Sequence, residues 1–313
     1  MKKIPVILDG DPGHDDAIAW LMAFARPELD ILGVVSVSGN VSLEKTTRNM
    51  LQIMTLLGVR DVPLAQGAGR PLTGEPFEAP SVHGESGLDG PTLPEPAVAL
   101  DTLPGVELMA NLLRAGGEPI TLVPTGPLTN IATLLLAYPE LKSKIAGISL
   151  MGGGLLTGNW TPAAEFNILA DPEAAKIVFE SGLPIFMAGL DVTEKAFVTP
   201  EDFERIRAIG GTIAAIVAEW LEFFYKFHRE HGYEGAPIHD PVAIAALVKP
   251  EILEMQDLYV QVETSGEYCR GATVGDFFGR AKRPPNVKAI LNIDRAAYVD
   301  MIVEAVKYYG KEG

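Results

Sequence analysis

Short apolar, β-branched runs alternate with helix-like segments through the first 191 residues of this chain. That alternation constrains its fold more than any other feature. The strand-like runs cover residues 6–8, 31–37, 62–65, 120–126, 145–151 and 184–191. Helix-like segments at 17–22, 42–57, 106–113, 130–137 and 171–180 separate them, with Ser42 placed as a cap. Strands this uniformly apolar have no face to give to water. They predict an α/β protein with a mostly parallel, Rossmann-like central sheet covered by helices on both sides.

The second half changes character. Residues 201–209, 212–231 and 240–247 read as helices, 259–263 and 287–293 as late strands, and 295–309 as a closing helix. No break has the composition of a linker, so residues 1–313 are expected to form one domain with helical insertions. The Pro/Gly-rich stretch 67–96 is long for a plain connection, and loops of that length are usually functional or mobile.

The balance of 25 basic against 41 acidic residues gives a net charge of −16. Such a surface is a poor match for nucleic-acid phosphates or anionic lipid, and suits a small ligand or a bound metal. Cys269 is the only cysteine, so neither a disulfide nor a thiolate metal cage is expected. The opening apolar run is too short for a secretory signal and ends in Asp, and no stretch is long enough to span a membrane. A soluble cytoplasmic protein is the expectation.

Chemistry collects where the first strand ends. Asp9, Asp11, Asp15 and Asp16 fall within residues 9–16, between an apolar run and a helix, with Gly10, Pro12 and Gly13 as punctuation. A helix cap needs one Asp, not four. Carboxylates so close repel one another unless a cation neutralises them, and a hard divalent metal is the simplest explanation. In an open α/β sheet this is also the ligand-binding rim. Other strands would bring Asn40, Thr125 and Met151-Gly152-Gly153 to the same rim. The polar loop Asn159 to Asn167, with Glu165, and the pair His239-Asp240 at a helix head are further candidates. Each also has a plain structural reading as a strand end, turn or cap.

The motifs Asp9-Gly10-Asp11-Pro12-Gly13-His14-Asp15-Asp16, Gly39-Asn40, Thr125-Gly126-Pro127-Leu128-Thr129-Asn130, Met151-Gly152-Gly153, Glu165-Phe166-Asn167 with Asp171-Pro172-Glu173-Ala174, and His239-Asp240 occur in this order. In them the chain resembles the nucleoside hydrolases, the inosine/uridine-preferring N-ribohydrolases, over essentially its whole length. The resemblance implies the nucleoside hydrolase fold. It also implies calcium-dependent hydrolysis of the N-glycosidic bond of ribonucleosides, in salvage or catabolism, by a homo-tetramer or dimer.

By the same resemblance Asp11, Asp16, Asp240 and the backbone carbonyl of Thr125 would hold Ca²⁺, an all-oxygen set that suits a hard cation. Asp11 would be the general base for a metal-activated water attacking the anomeric carbon. Asp15, Asn40, Asn159, Glu165 and Asn167 would hold the ribose, with Met151 lining the pocket and His83 set against the nucleobase. Adjacent helical residues point roughly 100° apart, so Asp16 can face the metal while Asp15 faces the sugar. His239 is the candidate acid for the leaving base, on the strength of an ordinary imidazole pKa near ~6.5. The family's base-contacting Tyr or Gln positions correspond here to Phe227 and His231, a departure that leaves base preference open; a loop shift would bring Tyr225 or Tyr233 into play.

Two rival readings fit the chain less well. Haloacid-dehalogenase-like phosphohydrolases also open on Asp-x-Asp, but continue with Thr or Val where this chain has Gly13. A non-catalytic nucleoside- or calcium-binding protein would be expected to have lost Asp11 or a ligand, and none is missing. The spacing from Asp9 puts Trp20, not Glu, at the twelfth position and excludes an EF-hand.

Overall fold

The structure is a computed structural model and describes residues 2–310. Its strands are β1 Ile4–Gly10, β2 Leu29–Ser36, β3 Leu64–Gln66, β4 Ile120–Pro124, β5 Ile145–Met151, β6 Ile185–Ala188, β7 Phe197–Val198, β8 Ala236–Pro237, β9 Leu253–Leu258, β10 Val260–Val262, β11 Thr273–Gly275 and β12 Val287–Ile293. Eight of them form one sheet in the order β3-β2-β1-β4-β5-β6-β12-β9. Every neighbouring pair is parallel except β9 against β12.

The apolar runs are explained by burial on both faces. Val6 and Leu8 of β1 pack into one helical layer with helices His14–Phe24, Thr212–Glu230, Pro241–Val248 and Arg295–Tyr309. Ile7 points to the opposite layer, under Gly105–Ala115, Thr129–Ala137 and Pro172–Phe179. Alternation across the pleat thus feeds two cores from one strand. Trp20, Trp220 and Tyr298 are the largest fully buried side chains of the first.

Most expected elements are present with ends shifted by a few residues. Three differ in kind. The expected strand 184–191 stops at Ala188, and Leu190–Thr193 is a short helix. The expected strand 259–263 is β10, which leaves the sheet to pair with β11. The sheet is instead closed by β9, whose Glu254, Gln256 and Asp257 are exposed, so an antiparallel edge strand carried no apolar run to detect. The stretch 67–96 contains one helical turn, Pro80–His83.

The topology locates the site. The chain works outward from β1 to β3, then returns to lay β4 on the other side of β1. Adjacent strands therefore lead in opposite directions at β1 and β4, and their carboxyl ends open a crevice there. Among the described residues no helix is long and apolar enough to cross a membrane.

Candidate active site

The carboxyl end of β1 runs into the helix His14–Phe24 through the four aspartates. Asp16 turns back to accept the Gly13 N–H at 3.0 Å and takes the Thr125 hydroxyl at 2.6 Å, tying the ends of β1 and β4 together. Asp240 stands at the N-terminal end of the helix Pro241–Val248 without a side-chain capping bond, and hydrogen-bonds Asp16. Oxygens of Asp15, Asp16 and Asp240 all lie within 4.8 Å of one another.

Asp11 sits in a slot made by other loops. Its Oδ2 accepts the Asn40 N–H at 2.7 Å, and its carbonyl takes the Asn40 side-chain amide at 3.0 Å. A Cβ on Gly39 would stand 2.0 Å from Asp11 Oδ2, and one on Gly126 2.5 Å from Oδ1. Only glycine lets these two backbones close on the carboxylate, which gives the Gly39-Asn40 and Thr125-Gly126 motifs a physical reason.

Asp9, Asp11, Asp15 and Asp16 are all buried, and Oδ1 of Asp9, Asp11 and Asp15 has no hydrogen-bond partner. Burial, reinforced by mutual repulsion, pushes Asp15 up to about 8 and Asp16 to about 6, and holds Asp11 and Asp240 well above the carboxylate range. Five buried acids, three of them with an unpaired oxygen and with no basic side chain among them, form an incomplete charge arrangement. A hard cation completes it, so the donor set fits a metal. The Thr125 carbonyl accepts the Asn167 amide at 2.9 Å and keeps a second lone pair for such an ion.

Above this cluster lies a cavity of about 590 Å³. All seven residues expected at the substrate line it: Asp15, Asn40, His83, Met151, Asn159, Glu165 and Asn167. Thr125, His239 and Asp240 join them, whereas Asp11 and Asp16 lie beneath the lining. The plain readings hold in part. Glu165 caps the helix Phe166–Ala170, accepting N–H groups of Gly153, Asn167 and Ile168 at 2.8, 2.9 and 3.1 Å. Asn159 accepts the Phe166 N–H at 3.0 Å, which leaves its amide nitrogen without a protein acceptor. Capping thus holds these side chains still at the cavity wall.

The other wall comes from helix Thr212–Glu230 and the loop after it. Phe227, His231 and Tyr233 line the cavity; Tyr225 does not, its hydroxyl donating to the Tyr233 carbonyl at 3.2 Å. Sequence reasoning missed Phe224, His228 and Glu194 there. Phe224, Phe227, His228 and His231 recur at helical spacing on one face, the signal that would have found all four as a set. Nothing local marks Glu194, which hydrogen-bonds Tyr233.

His239 departs from expectation in its chemistry. Its Nδ1 lies 2.8 Å from the Thr193 hydroxyl, and burial lowers its pKa from 6.5 to about 3. The ring is therefore neutral at pH 7, not a half-charged acid. The hydroxyl of buried Tyr298 donates to the Ile238 carbonyl at 2.5 Å and fixes the segment that carries His239 and Asp240.

Residues 6–300 match the model of a family described as inosine-uridine preferring nucleoside hydrolase. The chain is 53% identical over 308 residues to the pyrimidine-specific ribonucleoside hydrolase RihA of Escherichia coli O139:H28, covering 98% of this chain and 99% of that one. Among solved structures, a purine-preferring ribonucleoside hydrolase from Gardnerella vaginalis superposes with a TM-score of 0.92 at 31% identity, over 99% of this chain and 100% of that one. The plant nucleoside hydrolase PpNRh1 does so with a TM-score of 0.90 at 30% identity, over 97% and 99%. With the acidic crevice at the sheet's reversal point, these likenesses show that the chain belongs to the inosine-uridine preferring nucleoside hydrolase family and is an enzyme that hydrolyses ribonucleosides.

Proposed function

We propose that this enzyme is a calcium-dependent hydrolase that prefers pyrimidine ribonucleosides, releasing ribose and the free base in nucleoside salvage or catabolism. The base preference is carried by one observation: near full-length identity of 53% to a relative named pyrimidine-specific, against 31% to one named purine-preferring. A single domain, a homo-tetramer or dimer and a cytoplasmic setting belong to the same reading, supported by the family likeness.

In this reading Asp11, Asp16, Asp240 and the Thr125 carbonyl hold the ion. What Ca²⁺ supplies when bound is a lowered pKa for the attacking water. Asp11, through its unpaired Oδ1, takes the proton as the water oxygen bonds to the anomeric carbon. Asp15, Asn40, Asn159, Glu165 and Asn167 hold the ribose hydroxyls, with Met151 and His83 completing the contacts. The carboxylates around the sugar favour the positive charge that develops as the glycosidic bond breaks. The bonding electrons leave with the base, and the neutral His239 ring donates a hydrogen bond to the negative charge gathering there, as neutral imidazoles do elsewhere.

The test is free ribose released from uridine, cytidine, inosine, adenosine and guanosine, with Ca²⁺ and after chelation. Faster release from uridine and cytidine, lost on chelation and restored by Ca²⁺, is the expected result. Faster release from the purine nucleosides overturns the base preference, and release that survives chelation overturns the metal.

A further inference from the structure

The cavity is lined by four histidines, and the hydrogen bonds behind them decide which nitrogen each presents to a substrate. His228 and His231 each direct Nδ1 at a backbone carbonyl, Phe224 O at 3.0 Å and Phe227 O at 2.8 Å. A carbonyl only accepts, so Nδ1 carries a proton in both, and in buried His228 Nε2 is left as a lone pair.

His83 is held differently. Behind it His14 directs Nε2 at the Asp89 carbonyl, 2.8 Å away, which places a proton on that nitrogen. The Nδ1 atoms of His14 and His83 are 3.3 Å apart and the ring centres 5.5 Å, with the rings 17° from parallel. The two distances differ by two ring radii, so both nitrogens lie on the line between the centres and aim at one another. His14 is packed against Phe223 and Phe224. The His14 backbone N–H also donates to His83 Nδ1, at 3.4 Å, so that nitrogen is an acceptor and His83 is not restricted to a lone pair at Nε2.

His239 is different because its Nδ1 partner is a hydroxyl. Thr193 is fully buried, and its Oγ1 has no other hydrogen-bond partner. If His239 donated from Nδ1, the Thr193 proton would be buried without an acceptor, at a cost of roughly 1–3 kcal/mol. The Thr193 O–H must point at Nδ1, and the ring proton must sit on Nε2.

We propose that Thr193 is a positioning residue that holds His239 in the Nε2–H form and so makes it able to donate to a departing base, while His228 presents only an acceptor. Thr193 touches neither the sugar site nor the acidic cluster; it acts through His239. The inference rests on the reading of His239 as the donor to the leaving base, and the experiment separates the two.

The experiment compares Thr193→Val, Thr193→Ser and His239→Ala, with Ca²⁺ present, on uridine and on a nitrophenyl riboside whose leaving group needs no donor. Thr193→Val is expected to lower kcat on uridine by ~10²-fold, the scale of a proton-donor contribution, with KM little changed and a much smaller loss on the nitrophenyl substrate. Thr193→Ser should restore most of the turnover, and Thr193→Val should add nothing in the His239→Ala background. Near-normal turnover of Thr193→Val on uridine, beside a loss confined to uridine in His239→Ala, overturns the role of Thr193 and leaves that of His239 standing. Equal losses of His239→Ala on both substrates overturn the donor itself. Should Thr193→Val fail to fold, two-bond ¹H–¹⁵N spectra of the unmodified enzyme decide the matter. A neutral Nε2–H pattern for His239 beside an Nδ1–H pattern for His228 supports the assignment, and an Nδ1–H pattern for His239 overturns it.

Discussion

Asn40 grips Asp11 at two points, with its backbone N–H on Oδ2 at 2.7 Å and its side-chain amide on the Asp11 carbonyl at 3.0 Å. The carboxylate is thereby fixed with Oδ1 free. Asp11→Ala should lower turnover of uridine by ~10²- to 10⁴-fold, since it removes the proposed base and a proposed cation ligand together. Asn40→Ala keeps the backbone N–H hydrogen bond to Oδ2 but loses the second grip and the proposed ribose contact, so its loss should be smaller, with both kcat and KM affected. Initial rates of ribose release check both, and near-normal turnover of Asp11→Ala would sink its assignment.

The buried acids predict an unusual response to pH without metal. Their folded-state values lie above the unfolded value of 3.8, with Asp9 and Asp15 near 8. Such groups bind more protons folded than unfolded, so the stability they confer is present at low pH and lost as pH rises toward 8. Chelated enzyme should lose thermal stability between pH 6.5 and 8, and the increase in Tm on adding Ca²⁺ should grow over the same interval. Calorimetric scans with and without chelator test this; a Ca²⁺ increment independent of pH would contradict it.

The histidines act with the opposite sign. Burial lowers His228 from 6.5 to about 4, so the folded state binds fewer protons than the unfolded chain between those values. The stability this contributes is complete above pH 6.5 and is lost as pH falls toward 4. In Ca²⁺-loaded enzyme, His228→Phe should flatten the decline in Tm over that window. An unchanged slope would show that His228 does not titrate on unfolding.

Tyr298 holds the His239-Asp240 segment from within the core, through its bond to the Ile238 carbonyl. Tyr298→Phe leaves that buried carbonyl unpaired and should cost about 1–3 kcal/mol in denaturant unfolding. Activity should fall with it, because the segment carries both the proposed donor to the base and a proposed cation ligand. A fully stable, fully active variant would count against this anchoring role.

Much of this was legible in the chain itself. Strands buried on both faces must be apolar throughout, so β1, β2, β4 and β5 announced themselves and the parallel sheet followed. Asp11, Asp15 and Asp16 stood out because a strand end crowded with acids has few explanations. Local sequence left β9 hidden, since an edge strand half open to water need not be apolar. Glu194 was equally hidden, because its place in the cavity depends on where Tyr233 lies. The state of His239 was beyond any local reading. The sequence by itself supplied an imidazole of ordinary pKa beside an aspartate. Only the tertiary structure buried that ring, set the Thr193 hydroxyl behind its Nδ1 and made it a neutral donor, because a proton's position depends on the partners that packing brings within reach.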